Sequence, residues 1–140
     1  MTIIVQITDT HIVPHGQQWN KDNKSNTDQR LERVVNHINN LSTAPDFVIH
    51  TGDITDDGTI ESYQNTKKIL DKLQTKYFLT CGNHDNFNNL KQVFTNHDYF
   101  GDSKFSHYVI NNDNLKIIVL DTQVEGEVHG YLCDYRIKWL

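Results

Sequence analysis

Three short apolar runs, each ending in a polar block, alternate along this chain with segments whose apolar residues recur at helical spacing. Ile3, Ile4, Val5 and Ile7 lead to Thr8 and then Asp9-Thr10-His11. Phe47, Val48 and Ile49 lead to Thr51-Gly52-Asp53, and Tyr77, Phe78 and Leu79 lead to Cys81-Gly82-Asn83-His84-Asp85. Between the first two runs, Leu31, Val34, Val35, Ile38 and Leu41 mark one face of a helix starting from Thr27 as its N-cap, with Pro45 beyond its end. Between the second and third, Ile60, Tyr63, Ile69, Leu70 and Leu73 do the same from a start near Thr59. Strand, helix, strand, helix, strand predicts right-handed crossovers and a parallel sheet, so the fold class is α/β.

The pattern then changes. Leu90, Val93 and Phe94 predict a third helix, after which residues 105–110 and 115–120 flank an Asn-rich stretch and read as an antiparallel hairpin. Residues 12–26, rich in Asn, Lys and Gln and holding Gly16, read as a loop. Asp134 reads as the cap of a last short helix carrying Ile137, Trp139 and Leu140. About seven residues make a helix too short to hold alone, since ~12–15 is marginal in water. Two large apolar side chains there call for a covering surface, so the expectation is one domain over residues 1–140, incomplete at its C-terminal side.

Composition narrows the function classes. With 140 residues, 36% hydrophobic and 22% charged, the chain suits a globular domain with a real core. A net charge of -5 disfavours broad contact with nucleic acid or an anionic membrane, which need clustered Lys and Arg. A phosphate substrate stays open, because a bound cation reverses the local field. Cys81 and Cys133 form no C-x-x-C pair and read as small buried fillers in a reducing compartment. No apolar run approaches the ~20 residues of a membrane span. The first residues read as a strand rather than a leader, so the expected compartment is the cytoplasm.

The strand ends carry the chemistry. A parallel sheet brings all three to one edge, where open α/β folds hold ligands. Asp9 and His11 would follow the first strand, Asp53 the second, Asn83 and His84 the third. Carboxylate, imidazole and amide oxygen together suit manganese, iron or zinc. Gly52 and Gly82 each precede a candidate ligand and let the backbone turn sharply. Each block alone has an ordinary reading, a hydrogen-bonded loop pair or a simple turn. Three such coincidences at successive strand ends favour a metal site.

Other polar residues are assigned supporting or structural parts. Asp56, Asp57 and Asp85 read as turn residues or as partners that orient a ligand histidine. His50 reads as a satisfied core histidine; His15, His37, His97 and His129 read as surface residues, and His107 as structural. Tyr63, Phe78 and Trp139 are core candidates. Trp19, in the first long loop, reads as packing in preference to stacking on a substrate base.

Asp9-Thr10-His11, Gly52-Asp53-Ile54-Thr55-Asp56-Asp57-Gly58 and Gly82-Asn83-His84-Asp85 resemble the D-x-H, G-D-x-x-x-x-G and G-N-H-[DE] blocks of calcineurin-like metallophosphoesterases. Asn26-Thr27, Pro45-Asp46, Glu61-Ser62-Tyr63, Leu120-Asp121-Thr122, Gly130-Tyr131-Leu132 and Trp139-Leu140 are similar to the class III cyclic nucleotide phosphodiesterases and related glycerophosphodiesterases. The resemblance implies the βαβαβ half of a four-layer α/β/β/α sandwich, with a C-terminal antiparallel hairpin. It implies that Asp9 and His11 bind a first metal, that Asp53 bridges two, and that Asn83 binds the second through its side-chain oxygen. It also puts His11, Asp53, Asn83 and His84 against substrate, with His84 as the catalytic residue.

The cofactors implied are two divalent ions (Fe, Mn or Zn). The reaction implied is hydrolysis of a small phosphodiester, a 3',5'-cyclic nucleotide such as cyclic AMP first, by a metal-bridging hydroxide. Two cations roughly 3.5–4 Å apart can activate a bridging water and clamp the attacking and leaving oxygens. Adjacent cations would depress the pKa of His84, which favours a charge-stabilising hydrogen bond over proton donation. Family members carry a later His and a G-H-x-H block that complete both metal shells, and these do not occur here, so the second site is expected to be incomplete. The alternative is a truncated, metal-poor, non-catalytic binding module. A homo-oligomer whose second copy supplies the missing ligands is a third reading.

Overall fold

Strand β2 (Phe47–His50) lies between β1 (Ile4–Ile7) and β3 (Tyr77–Leu79) and runs parallel to both. The computed structural model describes residues 1–19, 26–112 and 115–140. Ile7 pairs with His50, and His50 with Leu79, so the three strands end level with one another. Burial follows position: Phe47 and Val48 of the central strand are fully buried, whereas β1 alternates half-buried and exposed residues at the sheet edge. Among the described residues, the free edge of β3 is met by two tyrosines rather than a strand. Leu79 N–H donates to Tyr99 Oη at 2.9 Å, and Tyr108 Oη–H donates to Leu79 O at 2.8 Å.

Helix α1 (Thr27–Asn39) connects β1 to β2, and α2 (Ile60–Leu70) connects β2 to β3. The cap of α1 is Asn26, not Thr27 as the sequence suggested: its Oδ1 accepts from Gln29 N–H at 2.9 Å while Thr27 is the first, buried, helical residue. Either side chain suits a cap, and the backbone turn selects the residue one position earlier. Thr59 caps α2 as expected, accepting from Ser62 N–H. Leu31, Val35 and Ile38 bury one stripe of α1, with Val34 and Leu41 at its exposed rim. α1 packs on α2, and α2 on α3 (Phe87–Val93).

A 3-10 turn (Asp98–Phe100) precedes the antiparallel pair β4 (Tyr108–Asn112) and β5 (Leu115–Val119). The strands extend further into the Asn-rich stretch than expected, because Asn111 pairs with Lys116 and Asn112 with Leu115; residues 113–114 lie outside the described residues. Tyr108, Ile110 and Val119 join the same core cluster as Phe47, Leu79 and Phe94, so the hairpin shares one core with the parallel sheet. α4 (Asp134–Trp139) is anchored by a buried ion pair. Arg136 Nη1 donates to Asp121 Oδ1 at 3.0 Å and to the carbonyls of Asp121 and Gln123, and Asp121 Oδ2 accepts from Ser106 N–H. Asp134 is the first residue of α4 and Cys133 its cap, without a side-chain bond.

Several single-residue expectations change. His97 is buried, its Nδ1 2.7 Å from Tyr99 Oη and its ring packed near Tyr77 and Phe94, because a polar residue just past a helix can still fold under it. Trp139 keeps about a third of its surface exposed (37%) and covers one face of His107, with ring centroids 4.2 Å apart. Cys81 is half-buried and packs against the core cluster, whereas Cys133 is half-buried outside it. The first loop is partly core: Ile12 and Val13 are buried, and Ile12 bridges to Thr55, while residues 20–25 lie outside the described residues. Among the described residues no helix is long and apolar enough to cross a membrane.

Candidate metal centre

The parallel pairing of β1 and β2 continues past both strand ends. Asp9 N–H donates to Gly52 O at 3.0 Å, His11 N–H to Asp53 O at 3.1 Å, and Ile12 N–H to Ile54 O at 3.0 Å. Along this ladder, Asp9 (φ 53), His11 (φ 43) and Asp53 (φ 49) are the non-glycine residues with left-handed backbone among the described residues. Asp and His tolerate that region better than most, yet each such residue still costs on the order of 1–3 kcal/mol. The neighbouring hydrogen bonds hold the strain in place, and it falls on three of the four expected metal ligands.

The loops after β2 and β3 meet backbone to backbone. A Cβ on Gly52, whose φ is +117, would lie 2.7 Å from Gly82 N. A Cβ on Gly82 would overlap the amide nitrogen and Oδ1 of Asp53. Both positions therefore require glycine, for approach as much as for turning. Beneath them, buried Asp85 ties the two loops together. Its Oδ2 accepts from Ile54 N–H at 3.1 Å and Gly82 N–H at 2.9 Å, and its Oδ1 from Thr55 N–H at 3.1 Å and Tyr63 Oη–H at 2.9 Å. Burial pushes the Asp85 carboxyl above the usual range, and these donors pull against it.

His50 ties the first loop to the second. Thr10 Oγ1–H donates to Ile54 O, so its oxygen accepts from His50 Nε2–H at 2.9 Å, and His50 Nδ1 accepts from Gly52 N–H. That leaves the imidazole neutral, and burial takes its pKa down to about 3. The satisfied core histidine expected from sequence also lies directly under the site.

The donor atoms of Asp9, His11 and Asp53 all lie within 4.8 Å of one another. His11 Nε2 is 3.9 Å from Asp53 Oδ2. Its other nitrogen is spoken for: a carboxylate only accepts, so Nδ1–H donates to Asp56 Oδ1 at 3.1 Å and Nε2 keeps its lone pair. Trp19 reinforces this arrangement, with Nε1–H bonded to the same Asp56 oxygen at 2.8 Å and its ring stacked on His11 at 5.1 Å. Asp56, His11 and His84 form a second group with metal-ligand spacing. Asp56 Oδ1 already accepts two N–H bonds there, which suits the orienting part expected of it.

His84 joins the cluster through backbone and side chain. Its N–H donates to Asp53 Oδ1 at 3.1 Å, its Nδ1–H to Asp56 O at 2.8 Å, and its ring stands edge-on to His11 at 4.7 Å. Its pKa is raised, first by the bond to Asp56 O and then by the carboxylates of Asp53, Asp56 and Asp85, with burial opposing. Asn83 is exposed at the same rim, between two residues whose backbones touch Asp53. Asp9, His11, Asp53 and His84 are thus brought together, with Asn83 beside them. The ties made by Tyr63 and His50 carried no signal in spacing; only the lone Trp in a polar loop hinted at Trp19.

Comparison with known proteins identifies the family. The family described as "Calcineurin-like phosphoesterase" matches residues 2–138. The chain is 40% identical to a "Probable glycerophosphodiester phosphodiesterase GpdQ" of Arcobacter nitrofigilis, covering 99% of this chain and 50% of that protein. It is 29% identical to a "Probable cyclic nucleotide phosphodiesterase" of Rhodococcus erythropolis (98% and 45% covered). It is 28% identical to a "cAMP/cGMP dual specificity phosphodiesterase" of Mycobacterium tuberculosis (99% and 43% covered). The chain spans about half the length of the curated relatives it matches. With the three motif blocks on one sheet edge and a match running along nearly all of its residues, the chain belongs to the calcineurin-like phosphoesterase family.

Proposed function

We propose that residues 1–140 form one metallophosphoesterase domain whose site serves hydrolysis of a small phosphodiester, a 3',5'-cyclic nucleotide such as cyclic AMP first and a glycerophosphodiester next. The observation that carries the reading is the convergence of Asp9, His11 and Asp53 within 4.8 Å on strained backbone. This donor set fits divalent transition metals: two carboxylates and one imidazole whose free nitrogen is selected by Asp56. Asp9 and His11 would hold one ion, Asp53 would face both, and Asn83 would serve the second. When bound, such ions supply Lewis-acid polarisation of the phosphoryl group and activation of water.

The chain's own residues do the rest. His84 has its Nδ1–H committed to Asp56 O, so Nε2 is the nitrogen free for substrate. In the protonated ring, Nε2–H can donate to an anionic phosphate oxygen, whose own charge favours that form. That is stabilisation of developing charge rather than proton transfer to the leaving group. Relatives named for cyclic nucleotides and for glycerophosphodiesters support the phosphodiester class. The cytoplasm is the compartment we assign, where the free thiols of Cys81 and Cys133 suit reducing conditions.

The test is turnover of bis(p-nitrophenyl) phosphate and then cyclic AMP with Mn2+. Rates well above those of Asp53→Ala support the reading, and rates equal to that variant overturn it. A metal-poor binding module is the second reading, favoured by the cluster of Asp9, His11 and Asp53, which offers the donor set of a single ion. Two bound ions per chain would exclude it.

A further inference from the structure

We propose that the cleft between the β1 exit, Trp19 and the first turns of α1 is a nucleobase subsite, with Trp19 and Arg30 selecting the organic part of the ester. The inference rests on the phosphodiesterase reading for its place in catalysis. The cleft holds about 260 Å³ and is lined by Asp9, His11, Trp19, Thr27, Arg30 and Val34. Asp9 and His11 belong to the candidate metal centre as well, so whatever fills the cleft sits next to the reacting phosphate. Pockets for drug-sized ligands run from roughly 300 to 1,000 Å³, so this volume suits a single ring system rather than a long chain.

The walls suit a flat aromatic guest. Trp19 is fixed by stacking on His11 and by its bond to Asp56, which leaves a rigid, half-buried indole at the cleft. Stacking of a base on an aromatic side chain contributes about 1–3 kcal/mol and needs no particular base. Val34 is 39% exposed, although its neighbours Leu31 and Val35 are buried in the core. It lends the opposite wall an apolar surface. Arg30 decides between the two kinds of small phosphodiester. Its guanidinium offers donors to the ring nitrogens and carbonyl oxygens of a base. It also repels a quaternary ammonium, which a lone indole would otherwise attract. A nucleobase therefore fits this cleft better than a choline headgroup.

The chain has two tryptophans, and Trp139 lies against His107 on α4, so in Trp139→Phe the emission comes from Trp19 alone. Titrate that variant with adenosine and, separately, with choline. The expected result is saturable quenching by adenosine and none by choline. Adding Arg30→Ala, at an exposed position, should weaken adenosine three- to tenfold, and Val34→Phe should fill the cleft and remove the response. Saturation by choline at lower concentration than adenosine overturns the proposal. So does the absence of any saturation, or an adenosine curve unmoved by both added substitutions. Mn2+ binding, followed in parallel, separates the failures. A chain that binds Mn2+ but not adenosine loses the subsite and keeps the phosphoesterase reading. One that binds adenosine but not Mn2+ loses the reading on which the subsite depends.

Discussion

His11 donates Nδ1–H to Asp56 Oδ1 at 3.1 Å, and that contact decides which imidazole nitrogen faces Asp53. Partners of this kind are worth 10- to 100-fold in metal affinity, as an order of magnitude. Asp56→Ala is expected to weaken Mn2+ binding by about that factor. Asp56→Asn keeps an oxygen that can accept from His11 and Trp19, so it should retain most of the affinity. Calorimetric titration of the two variants checks the contrast.

Gly82 leaves no room for a side chain against Asp53. Gly82→Ala must displace either the Asp53 carboxylate or its backbone. The expected outcome is loss of Mn2+ binding by more than tenfold together with destabilisation of roughly 1–3 kcal/mol, the range for strain at a special backbone position. Urea unfolding and metal titration on the same sample read both effects. Gly101→Ala is a useful control, since nothing lies near its Cβ position, although its positive φ adds some strain.

Asp85 accepts backbone N–H bonds from Ile54, Thr55 and Gly82 while buried. Asp85→Ala leaves those donors without partners, at about 1–3 kcal/mol for each buried group left unsatisfied. Because the three losses are not additive, about 3 kcal/mol or more is expected in urea unfolding. A loss under about 0.5 kcal/mol, typical of an unremarkable surface site, would mean that the loops hold their shape without it.

Stability should fall on mild acidification. His50 and His97 are held neutral, with pKa values down to about 3 and about 4, burial being the first cause for each. Unfolded, both regain the ordinary value near 6.5. Well above pH 6.5 both states are neutral and these residues contribute no pH dependence. As pH falls from about 6.5 toward 4 the unfolded chain takes up protons that the folded chain refuses, so stability drops by up to about 1.4 kcal/mol per pH unit for each residue. His97→Gln should flatten the slope between pH 6.5 and 4.5, measured by urea midpoints across that window.

The strand ends were legible because apolar runs of β length and helical spacing leave few topologies, and a parallel sheet necessarily gathers the ends of its strands. The sequence alone therefore marks Asp9, His11, Asp53 and His84 as neighbours. It does not mark the supports beneath them. Tyr63 reads as an ordinary core residue of α2, and only the fold brings its hydroxyl to Asp85 and to Asn86 N–H. His97 looked like a surface residue because it follows a helix end, yet the aromatic rings around it take it inside. Thr27 and Asp134 were each one position off as caps, since cap choice turns on local dihedrals that residue type leaves open. Trp19 had no periodic context at all, and its stacking on His11 follows from a loop path that no pattern encodes.

The central claim is that Asp9, His11 and Asp53 act together to hold a divalent ion, and calorimetric titration of the chain with Mn2+ at neutral pH tests it most directly. The account predicts saturable binding of at least one ion per chain that is abolished by Asp53→Ala and by His11→Ala, with both variants still folded by circular dichroism. Binding that survives both substitutions unchanged, or a folded chain that takes up no Mn2+, would contradict it.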